Sequence, residues 1–142
     1  IFDMEIKNSK GALVGAESVY SGTGFHTNNN VTTLSLNDSP KQFQKHKTAI
    51  EDMGYYLAQI CIAIHKGHFK KLSKYSWSAK DYSQVKGIKH FFMGGSVGVS
   101  GPVSDLILNI AKSQIKKQGL HFTFYKIDSP IKAALLGAYA FL

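Results

Sequence analysis

Residues 91–98 read Phe91-Phe92-Met93-Gly94-Gly95-Ser96-Val97-Gly98, and shortly afterwards Pro102 opens an apolar-periodic run that continues from Val103 to Ile115. An apolar strand that stops at two glycines and then gives onto a helix lets a ligand approach the backbone closely and aims free N–H groups at it. Nucleotides in α/β folds are held at junctions of this kind. Plain strand-to-helix connections use glycine as well, so the pattern alone leaves ligand binding and simple chain reversal both open.

A chain of 142 residues is the size of one domain, with room for a real hydrophobic core. No apolar run approaches the roughly 18 to 20 residues that a membrane span requires. The apolar start at Ile1 is broken at once by Asp3 and Glu5, which does not fit a signal peptide. Cys61 is the single cysteine, so no internal disulfide can form, and a reducing, cytoplasmic setting is expected. The formal charge is +8, and all 17 basic residues are lysines. Without arginine the chain lacks the bidentate fork that reads bases and clamps phosphates, so nucleic acid is not the expected partner. Diffuse lysine charge attracts anions without specifying any. Because the first residue is Ile rather than Met, the chain is expected to be a piece of a longer protein.

Alternation over residues 1–8 (Phe2, Met4 and Ile6 on one face) predicts a strand, Ser9-Lys10-Gly11 a turn, and residues 12–20 a second strand. Residues 21–27, with Gly22 and Gly24 among the hydroxyls of Ser21, Thr23 and Thr27, read as a polar loop able to line a site, followed by a third strand at 31–36. Ser39-Pro40 is a helix start, serine capping and proline at the first helical position. Phe43, Ile50, Met53, Leu57, Ile60 and Ile64 extend that helix to residue 64, with Gly54 marking close packing on a neighbour. Residues 66–89 carry seven lysines with Tyr75, Trp77 and Tyr82, and read as a surface excursion. A fourth strand at 88–93, a second long helix at 102–118 ended by Gly119, a fifth strand at 120–127 and a last helix at 131–142 complete the order. The small residues Ala133, Ala134, Gly137, Ala138 and Ala140 of that last helix permit close approach of another backbone, and a homodimer is left open.

The predicted order βββαβαβα folds as an α/β domain with a mixed five-stranded sheet and helices on both faces. This arrangement resembles the ribonuclease H-like fold, including each lobe of the actin-like ATPases and sugar kinases. Three stretches carry a closer resemblance: Gly54-Tyr55-Tyr56-Leu57-Ala58-Gln59-Ile60, His90-Phe91-Phe92-Met93-Gly94-Gly95-Ser96-Val97, and Ser129-Pro130-Ile131-Lys132-Ala133-Ala134-Leu135-Leu136-Gly137-Ala138. Together they are similar to the C-terminal lobe of ROK-type bacterial sugar kinases, with the type II pantothenate kinases sharing the same kind of ending.

The resemblance implies an ATP-binding lobe in which Gly94, Gly95, Ser96 and Val97 meet the adenosine and Gly137 lies beside it, with Mg2+ arriving on the nucleotide. It further implies a small-molecule substrate whose hydroxyl receives the γ-phosphate, and an N-terminal lobe, outside these residues, that supplies the catalytic aspartate. The family's Glu-x-Gly-His substrate motif is matched only by Thr23-Gly24-Phe25-His26, which keeps His26 but has Thr23 for the carboxylate and Phe25 for the glycine. The cysteine-rich zinc segment of the family is absent. Gly22-Thr23-Gly24 is similar to the family's phosphate-contacting turn, while the hairpin position expected for that turn is held by Asn8-Ser9-Lys10-Gly11. Both turns remain candidates.

Other chemistries fit less well. Two-metal nuclease chemistry needs converging carboxylates, for which Asp3, Glu51 and Asp52 are the only nearby candidates, and glycines stand where another acid is wanted. His65 and His68 lack a third ligand for zinc. Cys61, inside an apolar helical pattern, reads as core. The alternative to a kinase lobe is a non-catalytic binding module on the same fold, meeting its partner through 66–89.

Overall fold

In the computed structural model, the structure describes residues 4–67 and 79–126, together with Ser129. The chain is α/β, and its described residues are mostly helical, with their strands gathered into two small sheets. Strands β1 (Glu5–Lys7) and β2 (Leu13–Gly15) form an antiparallel hairpin in which Ile6 faces Val14. Asn8 shapes its turn by accepting, through Oδ1, the N–H groups of Lys10 and Ala12 at 2.9 and 3.0 Å. Gly11 follows at φ +79°.

From here the architecture departs from the strand-rich expectation. The second strand ends at Gly15, and residues 16–19 turn into the short helix α1 (Ala16–Val19). The loop expected at 21–27 is helix α2 (Gly22–Asn29), and the strand expected at 31–36 is helix α3 (Thr33–Asn37). Local capping explains both. The Ser21 hydroxyl accepts the Gly24 N–H at 2.8 Å, and Thr32 accepts the Ser35 N–H at 3.2 Å, each satisfying a first-turn donor. Asn30, at φ 55°, closes α2 in the left-handed region that asparagine tolerates. Residues 31–36 look alternating, but burial follows a three-residue step: Thr33 and Leu36 are each 1% exposed, whereas Leu34 is 44% exposed. Packing overrode a weak local preference.

The long helix expected from Ser39 is two helices, α4 (Pro40–Lys45) and α5 (Lys47–Lys66), interrupted at His46. α4 has no buried residue, so it follows the surface, while α5 buries eight and is aimed by the core. α6 (Ala79–Val85) occupies part of the expected excursion, and the rest, with Tyr75 and Trp77, lies outside the described residues. The return from α6 is tied to the end of α5: the Gly87 N–H donates to the His65 carbonyl at 2.8 Å.

β3 (His90–Phe92), a 3-10 turn at Ser96–Gly98, α7 (Pro102–Lys117) and β4 (Thr123–Tyr125) form a βαβ unit whose two strands are parallel, Phe91 facing Phe124. Gly119, at φ +70°, sits just past the end of α7, its N–H on the Lys116 carbonyl and the Leu120 N–H on that of Ile115. The five-stranded sheet is not formed by the described residues, which hold two separate pairs of three-residue strands. With 33–37 helical, no strand among the described residues bridges the hairpin to β3. The last expected helix, residues 131–142, lies outside the described residues.

α5 and α7 make the core. Ile50, Met53, Leu57 and Ile60 meet Val103, Ile107, Ala111 and Ile115, and each large aliphatic buried there contributes on the order of 1.5 to 3 kcal/mol. Gly54 sets how close the helices come, since a Cβ there would stand 2.6 Å from Ile110 Cβ and 2.8 Å from the Ile107 carbonyl oxygen. Asn37, ending α3, caps α7: its Oδ1 accepts the Val103 N–H at 3.0 Å. No helix among the described residues is long and apolar enough to cross a membrane.

Candidate functional site

A groove of about 460 Å³ opens between the start of α2 and the glycine turn after β3, lined by residues 20–22 and 91–97 with Leu57, Ile60, Cys61 and Ile64 of α5. Two glycine-bearing turns far apart in sequence therefore border one space. They touch where Gly22 lies against Ser96, so closely that a Cβ at 22 would require the Ser96 hydroxyl to move. The Ser96 hydroxyl is held in turn by Thr33, which donates to it at 3.1 Å. Thr33 is buried, so α3 fixes the position of the glycine turn.

Gly94 and Gly95 are exposed, and a Cβ on either would meet no atom within 4 Å. They differ in why glycine is there. Gly95 has φ 64° and ψ −165°, a conformation that side-chain-bearing residues rarely adopt. Gly94 has neither such a φ nor a crowding neighbour, so nothing in the fold calls for its missing side chain. Val97 and Gly98 are buried, anchoring the far end of the turn in the core.

The α2 end of the groove is polar. Gly24 N–H is taken by Ser21, but the first-turn N–H groups of Gly22 and Thr23 have no partner among the described residues, and the helix dipole adds positive potential there. The α5 side is apolar. Tyr20 and Cys61 border it, and both are pushed well above their ordinary values, Cys61 by burial and Tyr20 first by burial and then by the neighbouring Cys61. Both stay neutral at physiological pH, and Cys61 is no thiolate nucleophile there.

Of the residues that the sequence nominates, Gly22, Gly94, Gly95, Ser96 and Val97 are brought together. Thr23 is exposed on α2 but does not line the groove, and His26 is exposed away from it. Gly24 is buried for packing, a Cβ there standing 2.6 Å from the Glu17 and Ser18 carbonyl oxygens. Gly137 lies outside the described residues. The Asn8–Gly11 turn borders a different cavity, of about 400 Å³, with Asn28, Asn29, Asp52 and Tyr56. Of the two candidate phosphate turns, then, the one at Ser21-Gly22 shares the space beside Gly94.

Sequence reasoning did not find the α5 wall. Leu57, Ile60, Cys61 and Ile64 carry only the periodic signal of core residues, and nothing local distinguishes core from groove.

The other candidates stay apart. Glu51 pairs with Lys47 at 3.9 Å, and Asp3 lies outside the described residues. His65 shares a hydrogen bond of 3.0 Å with the Ile88 carbonyl and packs on the Phe122 ring. Among the described residues no three metal-ligating side chains cluster. Comparison with known proteins finds no family model, no curated protein and no solved structure that matches the chain.

Proposed function

We propose that the groove holds a nucleotide, and that the chain is the C-terminal, ATP-binding lobe of a small-molecule kinase, with a ribonuclease H-like arrangement built on the β3–α7–β4 unit. The observation that carries this reading is Gly94: an exposed glycine, required by neither backbone nor neighbours, facing open space in a groove that also receives a helix start. An amphiphilic ligand with a flat apolar end and an anionic end suits such a site. The base and ribose lie along the bare backbone of 94–95 against the α5 wall, and the phosphates lie toward the Gly22 N–H at the start of α2. Among the described residues no carboxylate lines the groove, and in this reading Mg2+ enters with the phosphates. In this reading the lobe supplies positioning and water exclusion, while a partner lobe brings the acceptor hydroxyl and its base.

Thermal melting with and without millimolar ATP and Mg2+ tests the proposal. ATP is expected to raise the melting temperature of the native chain. Gly94→Leu adds a side chain whose Cβ would meet no atom of the described residues within 4 Å, so it is expected to leave the unliganded melting temperature nearly unchanged and abolish the ATP shift. An equal ATP shift in both proteins, or none in the native chain, rejects nucleotide binding here.

A further inference from the structure

One large apolar side chain stands out by its exposure. Phe92, the last residue of β3 and a neighbour of the glycine turn along the groove, is 78% exposed. Burying a phenylalanine side chain is favourable, so folding leaves that stabilisation unused at this position. Its ring is nevertheless ordered by a partner: Tyr125 of β4 stacks on it with centroids 4.6 Å apart and planes at 18°. Tyr125 is itself held by His90, whose ring stacks at 6.1 Å and whose Nδ1 shares a 3.1 Å hydrogen bond with the Tyr125 hydroxyl. The parallel pairing of Phe92 with Tyr125 sets this ladder, because side chains at the same register on adjacent strands share a face. The result is a propped aromatic ring with one face covered and the rest open, two residues before the bare backbone of Gly94.

We infer that Phe92 is the stacking platform for the base of the nucleotide, His90 and Tyr125 holding its ring in plane. The inference rests on the nucleotide reading and names the part of the ligand that the β3 end of the groove receives. Every nucleobase has a π-face, and stacking on an aromatic ring contributes substantially to binding without a hydrogen-bonding code. This suits a groove that Phe92 lines together with apolar side chains such as Ile60 and Ile64. Phe92 thereby becomes an affinity determinant, and selection among bases is expected to follow stacking strength, purines above pyrimidines.

The test is titration of the full chain and two variants with ATP, CTP and Mg2+. Phe92→Ala is expected to weaken ATP binding about tenfold or more, with ATP preferred over CTP by the native chain and that preference collapsing in the variant. Phe92→Trp is expected to keep ATP affinity, and the introduced indole is expected to be quenched by ATP after subtraction of the Trp77 background. Native binding of ATP with unchanged affinity in Phe92→Ala overturns the platform and leaves the nucleotide reading intact. Absence of ATP binding to the native chain overturns both. If Phe92→Ala both melts early and loses ATP, the quench decides: an unquenched indole in an ATP-binding Phe92→Trp protein overturns the inference.

Discussion

The glycines of the first turn and those of the second are there for opposite reasons. At Gly24 the Glu17 and Ser18 carbonyls leave no room for a side chain, and at Gly22 a Cβ would push the Ser96 hydroxyl from its place beside Thr33. At Gly94 and Gly95 a Cβ would meet no atom of the described residues within 4 Å. A crowded glycine reports on the fold, and an uncrowded one reports either on its own backbone angle, as at Gly95, or on something the protein is shaped to receive, as we propose for Gly94. Identical residues in similar local contexts thus carry different information, and only the neighbours tell them apart.

Substitutions at the two turns should separate these roles. The largest effect is expected at Gly24→Val, which drives a branched side chain into two backbone carbonyls that cannot rotate away. A loss of about 3 kcal/mol or more is expected by denaturant titration, and a loss under about 0.5 kcal/mol would mean that α1 and α2 are not packed through Gly24.

Next comes alkaline pH, acting on the Tyr20 and Cys61 wall. Both groups have folded-state values raised above their unfolded ones. The unfolded chain therefore loses these protons first, beginning near pH 9 for the thiol, and the stability from keeping the groups neutral is full below that point and falls as pH climbs further. Melting temperature is expected to decline above pH 9 in the native chain and less steeply in Cys61→Ala, compared at matched ionic strength. Parallel declines would remove Cys61 from the account.

A smaller change, about 1 kcal/mol, is expected for Asn37→Ala, which removes the cap on α7. The same variant relieves Gly101, where a Cβ would lie 2.8 Å from Asn37 Oδ1, so Gly101→Ala should be milder in the Asn37→Ala background than alone. Additive effects in that double-mutant cycle would deny the contact. Smallest of all is Gly94→Leu, expected within about 0.5 kcal/mol of the native chain without ligand; a large destabilisation would place Gly94 with the crowded glycines and remove the observation on which nucleotide binding rests.

The legible parts of the chain were those with strong periodicity or strong punctuation. α7 could be read from Pro102 to Gly119, and the α5 pattern with its tight crossing at Gly54 followed from spacing, because a long amphipathic helix repeats its signal many times. The hairpin turn and the βαβ unit were also recoverable. Residues 16–37 were not. Gly22-Thr23-Gly24 has poor helix propensity, and Thr33-Leu34-Ser35-Leu36 imitates a strand over four residues. Their helical state depends on Ser21 and Thr32 as caps and on burial of Phe25, Thr33 and Leu36, which no short window contains. The candidate site was half legible for the same reason: the glycine turns announced themselves, but the α5 wall looks like core.

What the amino-acid order decided by itself is the βαβ unit with its bare turn, since apolar runs, proline and glycine act through backbone geometry within a few residues. What required the tertiary structure is that Gly22 meets Ser96, that α3 rather than a strand supports the turn, and that Phe92 is left open while Phe91 turns inward. Those outcomes come from which surfaces find each other, a contest of burial and close packing among distant segments that local chemistry cannot settle.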